Sequence, residues 1–417
     1  MTSSFMADLH IHSRHSRATS RDMSPESLWK WSQLKGITVI GTGDFTHPGW
    51  LAELKEKLVS ESNGLFGLKA GFRNPEVPDS CRSNVHFMLT AEISCIYKKN
   101  GKTRKIHSII LAPDFGTADK INSALSAIGN LKSDGRPILG LDAKELLRIV
   151  MDASPDVMLI PAHAWTPHFS VFGAVSGFDS LEECFGELTT HIHAIETGLS
   201  SDPSMNRRIS ALDRITLVSN SDAHSPSRIG REANILNSDI SYAGITGAIK
   251  TGVGFNGTIE FFPEEGKYHY DGHRACGVSM PPSDTIRHNY ACPVCGRKVT
   301  IGVMHRVETL ADREKSPALD KAPAFHSTVP LAEIIAETFS VGASSKKVNE
   351  AYLKLLAGLG SEFRILMYAS PEDISNASTP RIGEAVLRMR TGRVNIAPGY
   401  DGEFGKVRIF GEDGLDT

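Results

Sequence analysis

Two histidines stand two residues apart, His10 and His12 in the segment ADLHIHSRHS, directly after an apolar start and with Asp8 just before them. On an extended segment the side chains alternate, so residues i and i+2 point the same way. Paired imidazoles on one face suit a metal ion. Further donors recur along the first 250 residues: Asp44 in GTGDFTH, Glu92 in TAEIS, His107 in KIHS, His163 in PAHAW, Glu196 in AIETG, and Asp222 and His224 in SDAH. Any one of them alone reads as a cap or a core residue. Together, several imidazoles and carboxylates with no accompanying cysteine suit two or three divalent ions bridged by a carboxylate. Sites of that kind hydrolyse phosphate esters, one ion acidifying water while another steadies the leaving oxygen.

A second constellation has different chemistry. His273 and Cys276 are separated by two residues, and Cys292 and Cys295 in CPVCG by two more, with fifteen residues between the pairs. Two knuckles of this spacing form a zinc-ribbon-like site of one imidazole and three thiolates, with His288 as the rival fourth ligand. Such a closed site has no open position for substrate, so its Zn2+ is structural. Arg274, Arg287, Arg297, Lys298 and Arg306 make this segment locally basic, which suits either a solvated surface or phosphate contacts.

The elements that must position these residues read as alternating strands and helices. Candidate strands lie at 5–11, 37–41, 85–93, 106–111, 156–160, 193–196 and 215–220. Ser24-Pro25 opens a helix that runs through Leu28, Trp31 and Leu34 and stops at Gly36. Seven strands with helices between several of them suit a βα barrel, in which functional side chains gather just past the strands' C-terminal ends. The third and fourth runs differ: Asn100-Gly101 marks a two-residue hairpin turn. Pairing Lys99 with Lys102 sets Ser94 opposite His107 and leaves Glu92 and His107 on one face, diagonal neighbours. From about residue 326 the pattern is helical, with Leu331, Ile334, Ile335 and Phe339 in one segment and Val348, Tyr352 and Leu355 in the next. Between them Ser344, Ser345, Lys346 and Lys347 offer hydroxyls, ammonium groups and free backbone N–H groups at a helix start, a combination that holds a nucleic-acid phosphate as well as it makes an ordinary cap. A short strand follows a turn within 398–410.

Composition narrows the class. The chain has 417 residues, 40% hydrophobic and 22% charged, which is globular and long enough for two or three domains. No apolar run reaches a membrane span and no secretory signal pattern opens the chain, so a soluble, cytoplasmic protein is expected. A net charge of −3 gives no general attraction to nucleic acid, so any DNA contact must be local. Six cysteines are too few for a disulfide scaffold, and Cys81, Cys95 and Cys184 read as buried free thiols. No phosphate-binding glycine loop of an ATP-driven motor is present.

The HIH pair at 10–12, with Asp44, Glu92, His107, His163 and SDAH ending at His224, resembles the metal motifs of the PHP (polymerase and histidinol phosphatase) superfamily. One departure is that Phe45 follows Asp44 where many members have histidine, which leaves the role of His47 open; His168, His191 and His193 read as structural. With the zinc knuckle and helical tail added, the chain resembles the endonuclease Q family over nearly its whole length, through GTGDFTHPGW, FMLTAEIS, PAHAWTPHFSVFG and SNSDAHSPSRIGREAN. That resemblance implies an α/β fold: a distorted seven-stranded βα barrel over 1–260, a zinc-binding domain over 261–325 and a helical DNA-binding domain over 326–417. It also implies a DNA repair endonuclease that cuts 5′ to uracil, hypoxanthine, xanthine or an abasic site and flips the lesion out of the stack. Metal ligands would be His10, His12, Asp44, Glu92, His107, His163, Asp222 and His224, with Asp222, Glu92 and Asp44 catalytic. Cofactors would be two or three divalent ions, Zn2+ with Mg2+ or Mn2+ for activity, beside the one structural Zn2+. The loop at 169–178, with Ser176 and Gly177, is the candidate lesion pocket, and Ser344, Ser345, Lys346 and Lys347 are candidate DNA contacts. Partners would be double- or single-stranded damaged DNA and a sliding clamp, with the protein a monomer off the membrane. The alternatives are a small-molecule phosphatase such as histidinol phosphate phosphatase, which needs neither C-terminal segment, and a catalytically silent helicase-associated DNA-binding module.

Overall fold

Every one of the seven apolar runs forms a strand, though most are shorter than their apolar length. The computed structural model describes residues 4–73, 76–317 and 323–411. The strands are β1 (Phe5–Asp8), β2 (Val39–Gly41), β3 (His86–Lys99), β4 (Lys102–Ala112), β5 (Met158–Pro161), β6 (Ala194–Glu196) and β7 (Thr216–Val218). Two more, β8 (Ala233–Leu236) and β9 (Phe255–Glu260), pair antiparallel with each other, and β8 pairs antiparallel with β1. Strands β1, β2 and β3 are mutually parallel, as alternating βα units require. The long β3–β4 hairpin then reverses direction, with Asn100 and Gly101 both at positive φ in its turn. Its register pairs Lys99 with Lys102 and Ser94 with His107, so Glu92 and His107 share a face.

Continuous ladders alone do not close a ring of seven. Strands β6 and β7 form a separate parallel pair, and among the described residues the expected circuit is completed by isolated backbone bonds. Ala164 N–H donates to the Glu196 carbonyl, and His12 N–H donates to the Ala223 carbonyl next to an Ile11–Ala223 bridge. The reason is visible at β1: the chain leaves its ladder after Asp8, so His10 and His12 stand just beyond the strand end rather than within it.

Helix α1 (Pro25–Lys35) is capped by Ser24, whose hydroxyl accepts from Ser27 N–H, and ends at Gly36 in the left-handed conformation. It buries Leu28 and Leu34. The main apolar core lies among these strands and helices and includes Phe45, Trp50, Phe87, Trp165 and Phe185. Further along, β10 (Asp271–His273) and β11 (Val278–Met280) pair as a small ribbon whose own core is only Met280, Cys292 and Val299. The chain then returns to the main sheet, where β12 (Ala324–Ser327) adds parallel to β9.

The C-terminal helices include α2 (Leu331–Phe339), α3 (Lys346–Leu359) and α4 (Pro380–Arg390), and they share a second core. Leu331, Ile334 and Ile335 on α2 and Val348, Tyr352 and Leu355 on α3 are buried, as the helical spacing predicts. A buried ion pair docks this unit on α1: Lys35 Nζ lies 2.7 Å from Glu362, which also accepts from Tyr352 Oη and Leu331 N–H. No helix among the described residues is long and apolar enough to cross a membrane.

Candidate metal centre

His10 and His12 are fully buried with ring centroids 5.4 Å apart, and they face the carboxylates of Glu92 and Asp222. His12 Nε2 lies 3.1 Å from Asp222 Oδ1 and 3.2 Å from Glu92 Oε2, and His10 Nε2 lies 3.5 Å from Glu92 Oε2. The other oxygen of Glu92 faces a second group, 2.6 Å from His107 Nδ1 and 3.1 Å from His163 Nε2. His10, His12, Glu92 and Asp222 therefore form one donor set and Glu92, His107 and His163 another, with Glu92 common to both.

These atoms fit divalent cations. His10 Nε2, His12 Nε2 and Asp222 Oδ1 are buried without a hydrogen-bond partner, which a folded protein rarely tolerates in a bare polar site. Burial opposes charge on His10 and His12, yet the surrounding Glu196, Glu92, Asp44 and Asp222 hold both imidazoles well above the usual range. The site thus draws positive charge strongly. His107 goes the other way: burial pushes its imidazole down to about 4, so it is a neutral donor.

A surrounding layer orients the donors. Asp44 was expected to be a ligand, but both its oxygens serve the first segment: they accept from His12 Nδ1 at 3.0 Å, Ser13 N–H at 2.7 Å, and the Ser13 and Ser16 hydroxyls. It therefore stands behind His12 and outside both donor sets. Glu196 likewise accepts from His10 Nδ1, His163 N–H and Asn220 Nδ2. Ligand imidazoles commonly donate their second N–H in this way, which fixes the tautomer. His224 lies at the rim, its ring 4.5 Å from that of His12 and its Nδ1 donating to the Asp222 carbonyl; it too is outside the two sets. His47 caps the helix Pro48–Lys57 by accepting from Trp50 N–H and stacks on His15.

Strand ends account for most of these positions, but three of the residues need unusual backbone as well. Asp44, His163 and Asp222 all have positive φ, at 48°, 29° and 47°. For non-glycine residues this conformation is strained and is held in place by the surroundings. Arg231 supplies part of that support, its Nε donating to the Ser221 carbonyl beside Asp222. Sequence spacing gave no hint of Arg231, Ser13, Ser16 or Asn220. It also passed over Arg136, whose Nη1 donates to Glu92 Oε2 at 2.9 Å; the Asp134-Gly135 turn before it is its only signal.

The loop at 169–178 closes over β4 beside the second donor set. Phe169 packs its ring 4.7 Å from that of His107, whose N–H donates to the Phe169 carbonyl. Ser176 is buried, its hydroxyl accepting from Phe169 N–H and donating to the Lys105 carbonyl. Gly177 is required by space, since a Cβ there would come within 2.4 Å of Gly173 N. Far along the chain Ser345 caps α3, accepting from Val348 N–H, while Ser344, Lys346 and Lys347 are exposed. Lys347 lies over the Phe339 ring.

In the ribbon, His273, Cys276, Cys292 and Cys295 converge, with His273 Nδ1 3.6 Å from Cys295 Sγ. The Arg297 backbone N–H and side chain pull the Cys295 thiol down to about 6, so it is readily the thiolate a zinc ion binds. His288 is the C-cap of the short helix Pro282–Arg287 and is not in this set.

Residues 330–393 match the family described as the MJ0043 C-terminal domain. The chain is 32% identical over 254 residues to protein MJ0043 of Methanocaldococcus jannaschii, which covers 59% of this chain but only 31% of that protein. Its fold is similar to the lesion-specific endonuclease PfuEndoQ from Pyrococcus furiosus, with a TM-score of 0.85, 31% identity, and 98% of this chain and 96% of the other covered. It is as similar to endonuclease Q bound to a 27-mer duplex with an abasic lesion at the active site, with a TM-score of 0.84, 31% identity, and 100% and 98% covered.

Proposed function

This chain belongs to the endonuclease Q family, and from that premise we propose that it is a metal-dependent, lesion-specific DNA repair endonuclease that cuts 5′ to a deaminated base or an abasic site. The observation that carries this reading is the double donor set bridged by Glu92, with its unpartnered buried atoms at the mouth of the strand ring. A solved relative holds an abasic site at its active site, which supports damaged DNA as the substrate class. Uracil, hypoxanthine and xanthine are the deaminated bases we assign.

The ring of β1 to β7 is read as a distorted seven-stranded barrel within 1–260, followed by the zinc-binding segment over 261–325 and a helical DNA-binding domain over 326–417. One divalent ion would be held by His10, His12, Glu92 and Asp222, and a second by Glu92, His107 and His163. Such ions, Zn2+, Mg2+ or Mn2+, supply the Lewis-acid charge that acidifies water and stabilises the departing oxygen of a phosphodiester. Asp44 and Glu196 would hold the Nδ1 protons of His12 and His10, so that each Nε2 faces the site and offers its lone pair once a cation takes the place of its proton. The 169–178 loop, with Ser176 and Gly177, walls the side where a flipped nucleotide would enter. Ser344, Ser345, Lys346 and Lys347 would grip the DNA backbone. His273, Cys276, Cys292 and Cys295 would hold one structural Zn2+. A monomer and a sliding-clamp partner complete the reading.

The test is incubation of the purified protein with end-labelled duplexes carrying uracil, hypoxanthine, an abasic site or no lesion, with Mg2+ or Mn2+ and with chelator. A single cut 5′ to the lesion is expected, absent from the undamaged duplex, from the chelated sample and from Asp222→Asn, with DNA binding by that variant retained. Release of phosphate from a small monoester with no cut in any duplex would move the protein to the phosphatase class.

A further inference from the structure

Arg136 is a cation at the edge of a site built to gather cations. Its Nη1 donates at 2.9 Å to Glu92 Oε2, the oxygen that also faces His10 and His12. Glu92 is fully buried, whereas the Arg136 side chain keeps 27% of its surface exposed at the mouth. Its position is not that of a stray surface arginine. Pro137 beside it accepts from Ser94 N–H, and Asp134 accepts from the backbone N–H groups of both Arg136 and Arg17. Gly135 donates to the His15 carbonyl and passes so close to the buried Asp44 that a Cβ there would stand 2.3 Å from Asp44 Oδ2. Backbone contacts on both sides thus press this loop onto the segment that carries the donors.

The electrostatics pose a problem that one ligand solves. Two divalent ions on the donor sets would set four positive charges against Glu92 and Asp222 within the sets and Asp44 and Glu196 behind His12 and His10, so Arg136 would stand as one further positive charge at the mouth. A guanidinium fixed beside it would be repelled unless an anion joined the assembly. Guanidinium has five N–H donors in a planar fork that matches the oxygens of a phosphate, and one donation to Glu92 leaves the others for the mouth. We infer that Arg136 binds a non-bridging oxygen of the scissile phosphate, as a substrate-binding residue that the metal donors do not supply. This rests on the phosphodiesterase reading above. The bland role, neutralising Glu92 in the folded protein, predicts a different result.

The full-length protein, its Arg136→Gln and its Arg136→Lys would be loaded with Mn2+ and compared by thermal melting, metal content, titration with inorganic phosphate and cleavage of the lesion duplex. Expected for Arg136→Gln are an unchanged melting temperature and metal content, phosphate affinity down about tenfold or more, and kcat down about 100-fold, as for other single transition-state donors. Arg136→Lys should recover part of the phosphate affinity, since it restores the charge but not the fork. Unchanged phosphate affinity in Arg136→Gln overturns the inference, and so does metal loss that accounts for the whole defect. Phosphate binding that depends on Arg136 in a protein that cuts no lesion duplex would uphold the residue's role while the nuclease reading fell.

Discussion

At the residue scale, the site separates side chains that face the donor cavity from those that aim them, and Asp44 is the informative case. Its carboxylate is buried and holds four donors from one short segment, with His12 and two serines among them. Its hydrogen bonds keep it ionised against burial, with the His12 charge the largest of the lowering influences. An orienting residue and a ligand fail differently when neutralised. Asp44→Asn should leave the number of ions at saturating Mn2+ unchanged while weakening their affinity by about 10- to 100-fold, the usual cost of losing an outer partner. Asp222→Asn should lose a bound ion outright. Metal titration with elemental analysis separates the two, and loss of an ion in Asp44→Asn would make Asp44 a ligand. The sequence showed which residue types gather at strand ends, because the chain must return there each time. It did not show which way a carboxylate turns, since Asp44 and Asp222 both follow strands and only their contacts differ. Arg136 was invisible for a related reason: a loop arginine carries no periodicity.

At the element scale, the apolar runs gave the strands, but the edges depended on contacts that the runs do not encode. The Asn100-Gly101 turn was legible because its chemistry is local, and the hairpin register followed from it. Strands β8 and β9 were not legible, and they bring together two buried carboxyls the sequence did not mark, Glu232 and Glu260. Burial pushes the Glu260 carboxyl up to about 8, although Thr258, Thr197 and Ser219 hydroxyls pull it down. Burial and then the nearby Glu260 raise Glu232 as well. A glutamate that titrates near 4.5 unfolded and near 8 folded binds its proton more tightly in the native state. Its contribution to stability is therefore complete below about pH 4.5 and lost as the pH rises through 8. Glu260→Gln keeps the shape of the protonated acid and cannot ionise. Its melting temperature should match the natural protein near pH 4.5, exceed it increasingly from there to about pH 8, and hold a constant lead of a few degrees above that. A constant offset from about pH 4.5 to 8 would mean that Glu260 does not titrate between the two states.

At the scale of the whole molecule, the question is why a phosphoesterase site should be tied to a distant thiolate set. The basic residues of its segment read from sequence as surface or phosphate contacts, but Arg306 is committed elsewhere. Its Nε donates to the Phe172 carbonyl and its Nη2 to the Phe178 carbonyl, with Asp179 2.6 Å away. It therefore ties the middle of the loop proposed to receive the lesion to its C-terminal end. The helix that bears Arg306, Val303–Leu310, is fixed in turn by Asp271 of β10, which accepts from Gly302 N–H and His305 Nδ1. Strand β10 leads directly to His273 of the thiolate set. The ribbon's own core of three buried residues is too small to stand without a metal, as is general for segments of this size. Loss of the proposed metal from this set should thus loosen the 169–178 loop through Asp271 and Arg306 while leaving the two donor sets at the mouth intact. If the proposed zinc is bound there, Cys292→Ser should release one zinc per chain, keep the Mn2+ content of the two donor sets, and cut lesion-duplex cleavage mainly through a higher KM. Arg306→Ala should reproduce that KM defect with its zinc retained, because it severs the same chain of contacts at the far end. If Cys292→Ser instead lowered kcat alone with KM unchanged, the ribbon would be acting on the metal centre and not on the loop that faces the DNA.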